Sequence, residues 1–233
     1  MEYLNATKNF IQSHFPNCSF ALVAGSVVRG EATTTSDLDI VIINDINEET
    51  YRESFYEYGW PIEVFIYTFD TYKSFLDSDV KRKRPTLAKM LSEGIILNDK
   101  YGLESKLKEE ANQLLQNGPD PFDKAEMYSQ RYTITDMVDD LIGAEVYEEE
   151  IFIVNELSEK IINFILVNNG QWMGRGKWLS KLLRKLDEEL YLELINSMNK
   201  FYKDNDKQYF INFVTKELNK YGGRLFEGYL VGK

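Results

Sequence analysis

The spacing of apolar residues changes character near residue 117. Before that point, short apolar runs alternate with amphipathic stretches. Residues 2–14 carry apolar positions at helical spacing and predict a helix. Phe20 to Ala24 form a short apolar run that stops at Gly25, and Leu38 to Ile43 form a β-branched run that stops at Asn44-Asp45. Both predict strands, as does the aromatic-rich segment Trp60 to Tyr67. Thr86 to Glu93 read as a helix, Gly94 ends it, and Ile95-Ile96-Leu97 read as a short strand before a closing helix over Leu103 to Leu115. Asn117-Gly118-Pro119-Asp120-Pro121 packs turn residues together and reads as a linker. Beyond it, helical periodicity predicts helices near 122–145, 149–168, 177–187, 189–202 and 207–221, with Asn168-Asn169-Gly170 as a clear stop. No internal repeat is visible. The expectation is an α/β domain over residues 1–117 followed by an all-α helical bundle over 118–233.

Composition supports real cores and narrows the chemistry. The chain has 233 residues, 43% of them hydrophobic. One cysteine, Cys18, excludes an internal disulfide and a Cys-rich zinc site, and fits a reducing cytoplasm. One histidine, His14, excludes a His-cluster metal site; its place at the end of an amphipathic helix reads as structural. Met1-Glu2-Tyr3-Leu4-Asn5 has neither the basic nor the apolar region of a signal peptide. No apolar run is long enough to span a bilayer. The net charge is −11, and acids outnumber bases in both halves. That disfavours nucleic acid as a partner and suits a cationic or small neutral substrate.

Candidate chemistry concentrates between residues 25 and 63. Gly25-Ser26 follows an apolar strand. Glycine lets backbone N–H groups approach an anion, Ser26 adds a hydroxyl, and a short helix beginning at Val27 would aim its positive end at the same place. Two familiar phosphate motifs do not apply. Gly25 and Gly30 have P-loop spacing, but Glu31-Ala32 follow where Lys and Ser/Thr are needed, and Gly174-Arg175-Gly176 lacks the third glycine of a dinucleotide fingerprint. Asp37 and Asp39 stand two apart at the start of a strand, so both carboxylates share a face while Leu38 and Ile40 point the other way. Crowded carboxylates raise one another's pKa, and a divalent cation between them removes that cost. Oxygen ligands of this kind suit Mg²⁺. Taken alone, an Asp-x-Asp reads more readily as a solvated strand-entry turn, with Ser36 and Asp37 as turn residues. Glu63, flanked by Ile62 and Val64, is either an edge-strand residue facing water or a third acid of the same site.

Taken together, Gly25-Ser26, Arg29-Gly30, Ser36-Asp37-Leu38-Asp39-Ile40-Val41-Ile42 and Glu63 resemble the nucleotidyltransferase superfamily that includes DNA polymerase beta and the antibiotic nucleotidyltransferases. The resemblance covers residues 20–70, and Arg84-Pro85 to Asn98 look like the end of such a domain. It implies a mixed β-sheet with flanking helices. The helical second half resembles, in architecture only, the bundle of aminoglycoside-modifying enzymes. The resemblance further implies that Asp37 and Asp39 bind two Mg²⁺ ions. A hydroxyl of a small-molecule acceptor would attack the α-phosphorus of ATP or another nucleoside triphosphate and expel pyrophosphate. Gly25, Ser26 and Ser36 would serve the nucleotide. Arg29 would contact phosphate or pin the loop to an acid. Glu63 would be a third metal ligand or the general base. An antitoxin-type transfer of AMP to a partner toxin and a catalytically silent nucleotide-binding module are the competing functions.

Three further stretches bear on the acceptor. Residues 132–159 carry many acids, among them Asp136, Asp139, Asp140 and Glu150, and no Lys or Arg. They read as a solvated helix face or as a negative wall for a cationic acceptor such as an aminoglycoside. Lys81-Arg82-Lys83-Arg84 reads as a turn or as a triphosphate contact. Trp172 to Trp178, around a Gly-rich basic turn, read as core packing or as a ligand face. Nucleotide base preference and oligomeric state are left open.

Overall fold

A computed structural model of the protein describes residues 2–45 and 49–232. The chain forms two compact units, Met1–Gly118 and Pro119–Lys233.

The first unit runs α1 (Glu2–His14), β1 (Phe20–Ala24), β2 (Leu38–Ile43), β3 (Tyr51–Glu57), β4 (Trp60–Tyr67), α2 (Thr71–Lys81), α3 (Thr86–Glu93), β5 (Ile95–Asp99) and α4 (Glu104–Asn117). Among the described residues its strands make a five-stranded mixed sheet in the order β3-β4-β2-β1-β5. β2 and β4 are parallel, and the other pairs are antiparallel. Both faces are covered, which is why β1 is buried at every position. Ile40, Ile42, Val64 and Ile66 pack with Phe10 and Ile11 of α1 on one face. Val41, Ile43 and Tyr67 pack with Leu76, Leu87, Leu91 and Leu107 of α2, α3 and α4 on the other.

Two elements of this unit are not foreseen in the sequence. β3 is an edge strand exposed along most of its length, so the apolar alternation of a half-buried strand is blunted. Its hairpin turns through Tyr58-Gly59, with φ of 52° and 78°. A two-residue primed turn needs positive φ at both positions, and Tyr is an uncommon residue there. α2 buries only Tyr72, Leu76 and Asp79, too narrow a stripe to stand out. The basic run closes this helix: Arg82 pairs with Asp79 at 2.5 Å, and Lys83 is buried. His14 ends α1, stacked on Phe10 and 2.9 Å from Glu57.

The second unit runs α5 (Lys124–Gly143), α6 (Tyr147–Asn168), α7 (Lys177–Leu186), α8 (Glu188–Asp204) and α9 (Gln208–Asn219). Asp123 and Glu126 form a reciprocal capping box that starts α5, and Asp187 caps α8. Ile134, Val138, Leu157, Ile161, Phe201 and Phe210 are among its core residues. The Gly-rich turn is structural at its start. Trp172 is buried, and buried Asn163 both accepts from the Gly174 N–H at 2.9 Å and donates to its carbonyl at 3.3 Å. Trp178 lies under the Lys181 ammonium instead.

Candidate active site

The sheet register assembles the acids. β2 lies between β1 and β4, and Asp39 stands opposite Ala24 on one side and Glu63 on the other. Parallel partners point to the same face, so Asp39 and Glu63 are neighbours there, and Asp37 joins them two residues earlier. Carboxylate oxygens of Asp37, Asp39 and Glu63 all lie within 4.8 Å of one another, and the three residues are half-buried. Leu38 and Ile40 are fully buried in the α1-side core, which fixes the aspartates on the opposite face.

Charge crowding shows in Asp39. Burial first, then the Asp37 and Glu63 carboxylates, push its carboxyl up to about 6, with Arg29 and Arg52 pulling the other way. Three hard oxygen donors that repel one another are a donor set a divalent cation would relieve, and they fit Mg²⁺ in kind.

Gly25 meets this cluster directly. It has φ +86°, and a Cβ built on it would stand 2.1 Å from Asp39 Oδ2. Only glycine permits both the backbone and the approach of the carboxylate. The segment after it differs from expectation: Ser26–Gly30 form consecutive turns, not a helix. The N–H groups of Val28 and Arg29 both return to the Gly25 carbonyl at 3.2 and 3.4 Å, and Glu31 N–H donates to the Ser26 carbonyl at 2.9 Å. Gly30, at φ +69°, turns the chain out of any helix. No helix dipole therefore adds to this turn, and its capacity for an anion rests on local N–H and hydroxyl groups alone.

The serines tie the loop together. Ser26 Oγ donates to Ser36 Oγ at 3.0 Å, and Ser36 Oγ also accepts from the Thr33 N–H at 2.8 Å. Arg29 pairs with Glu31 at 3.2 Å and with Glu93. The Gly25 N–H donates to the same Glu93 carboxylate at 3.4 Å. Arg29 thus ties the loop to acids, and α3 reaches the turn through Glu93.

Two residues of the site are missed by sequence reasoning. Glu93 lies 68 positions from Gly25, and nothing local announces the contact. Arg52, on β3, pairs with Glu63. It comes from the edge strand that the apolar pattern does not reveal. The acids of 132–159 are partly committed within their own unit: Glu150 is buried and 2.6 Å from Lys207, and Asp139 pairs with Arg224. Asp136 and Asp140 are exposed on α5.

Residues 4–111 match the family described as nucleotidyltransferase domain. No curated protein matches the sequence. Among solved structures, the chain is similar to a nucleotidyltransferase-like protein from Exiguobacterium sibiricum. The two are 13% identical, over 93% of this chain and 73% of that one, with a TM-score of 0.48.

Proposed function

We propose that the protein transfers AMP from ATP to a hydroxyl of a small-molecule acceptor, a reading that starts from the match of residues 4–111 to the nucleotidyltransferase domain family. The observation that carries this reading is the convergence of Asp37, Asp39 and Glu63 beside the Gly25 turn. Asp37, Asp39 and Glu63 would hold Mg²⁺, two ions when nucleotide is present. Bound there, the ions neutralise triphosphate charge and make the acceptor hydroxyl more acidic. Glu63 is read as a ligand because it is the register partner of Asp39 and its carboxylate lies within 4.8 Å of those of Asp37 and Asp39.

Direction follows from the sheet. Gly25 and Ser26 stand at the end of β1, on one flank of Asp39, while Glu63 and β3 lie on the other. In-line displacement puts attacking and leaving oxygens on opposite sides of phosphorus. With Ser26 and the turn orienting the β- and γ-phosphates, pyrophosphate leaves on the β1 flank. The acceptor oxygen then bonds to the α-phosphorus from the Glu63 flank. The acceptor in this reading is cationic, an aminoglycoside-like antibiotic being one such compound. The net charge of −11 supports it, because a negative protein attracts polycations. A cytoplasmic setting belongs to the same reading; among the described residues no helix is long and apolar enough to cross a membrane.

The test is isotopic. The protein is incubated with Mg²⁺, a panel of aminoglycosides and lincosamides, and ATP labelled at either the α- or the γ-phosphate. The expected product is acceptor carrying the α-label, with the γ-label leaving in pyrophosphate, and it forms only when Mg²⁺ is present. Product carrying the γ-label would mean phosphoryl transfer and contradict the reading. Label appearing only on a protein would move the function to protein modification. Absence of both label transfer and nucleotide binding would leave a silent module.

A further inference from the structure

The geometry points to Arg52 as a resident cation of the acidic cluster, one that holds Glu63 in the metal-free protein and competes with a divalent ion for it. The inference rests on the metal-site reading above. Arg52 and Glu63 sit on adjacent antiparallel strands, where Ser54 is the register partner of Glu63 and Phe65 that of Arg52. The pair is therefore diagonal. Strand alternation places Arg52, Ser54 and Glu63 on one face of the sheet. The guanidinium reaches Glu63 while lying over the Phe65 ring, 4.8 Å from its centroid. The ring fixes the direction of the side chain, and the carboxylate fixes its end.

Fold stability gives this pair little reason to exist. The Arg52 side chain is 56% exposed, on an edge strand, and exposed ion pairs contribute about 0–1 kcal/mol. What the position does provide is a positive charge against three clustered carboxylates. Arg29 also acts on Asp39, more strongly than Arg52 does, but its guanidinium is paired with Glu31 and Glu93, whereas Arg52 pairs with a carboxylate of the cluster itself. Arg52 is thus placed to quiet the cluster when no metal is bound. A divalent ion reaching Glu63 must displace the guanidinium or bear its repulsion, so Arg52 weakens metal binding in the absence of nucleotide. The triphosphate supplies the negative charge that lifts this brake.

Mn²⁺ binding, followed by electron paramagnetic resonance with and without a non-hydrolysable ATP analogue, tests the idea on wild type, Arg52→Gln and Arg52→Lys. Thermal unfolding of each variant verifies that it is folded. Without nucleotide, Arg52→Gln is expected to bind Mn²⁺ about tenfold more tightly than wild type, the scale of one screened unit charge near a divalent ion. Arg52→Lys keeps the charge and should stay near wild type. A folded Arg52→Gln whose affinity is unchanged or weaker overturns the inference, and so does Arg52→Lys binding as tightly as Arg52→Gln. If no form of the protein binds Mn²⁺ even with the nucleotide analogue, the metal-site reading fails instead.

Discussion

Both units bury acids, but they treat them differently. In the helical unit each buried carboxylate has a cation of its own. Glu150 is 2.6 Å from Lys207, and Glu217 is 2.7 Å from Lys220. In the N-terminal unit Asp79 follows the same rule, accepting from the Leu87 N–H and pairing with Arg82. The cluster of Asp37, Asp39 and Glu63 departs from it: Glu63 has Arg52, but the three carboxylates still face one another, and the Asp39 carboxyl rises to about 6. Folding gains nothing from that repulsion. A cluster kept crowded while the other buried acids are neutralised is a candidate binding site, which is the ground of the metal-site proposal.

The sharpest break of this contrast is Asp39→Asn. It should reduce nucleotidyl transfer by about a thousandfold or more, the scale of losing a group that acts in the transition state. The same substitution removes a crowded charge, so the metal-free protein should become more stable, on the order of 2 kcal/mol at neutral pH. Loss of activity together with loss of stability would place Asp39 with Asp79 as a structural acid. Gly25→Ala comes next. Its Cβ would collide with Asp39 Oδ2, and moving a site group by an ångström costs about a hundredfold in rate. Unfolding in denaturant should show a loss of about 1–3 kcal/mol from the strained backbone.

The paired acids should behave in the opposite way. Glu150→Ala leaves Lys207 without its carboxylate in a mostly buried place. Its thermal or denaturant unfolding should show a loss of about 2 kcal/mol, less than a fully buried pair because Lys207 is partly solvated. Mn²⁺ affinity should not move. If it does, the two sets of acids are not separable in the way the structure divides them.

The smallest effect is a pH dependence. The folded protein holds the Asp39 proton more tightly than the unfolded chain, whose carboxyl titrates near 3.8. Stability from this group is therefore present on the acid side and is lost as pH rises from about 4 to about 6. Metal binding runs the other way, because the ligand must be ionised: Mn²⁺ affinity should fall as pH drops below about 6. In Asp39→Asn the stability slope across that window should flatten. An unchanged slope would assign the titration to another group.

The contrast also explains what the sequence made legible. Gly25-Ser26, Asp37 and Asp39 lie within one strand–turn–strand passage, so their alternation could be read directly. Glu63 could be proposed because an acid between Ile62 and Val64 breaks a core-like strand. Its contact with Asp39 depends on β2 pairing with β4, a non-local register that no local pattern encodes. Arg52 and Glu93 were hidden for the same reason: one sits on an exposed edge strand, the other on a helix end 68 residues from the glycine it holds. The helices of the second unit were legible through their apolar period and capping residues. Which of their acids are paired was not, since Lys207 and Arg224 meet Glu150 and Asp139 only through packing.

The most direct measurement is Mn²⁺ binding by electron paramagnetic resonance, in the presence of a non-hydrolysable ATP analogue, for wild type and folded Asp39→Asn. Saturable binding in wild type that Asp39→Asn loses is the predicted result. Equal binding by the two proteins, or none by either, would contradict the claim that this acidic cluster is a metal site.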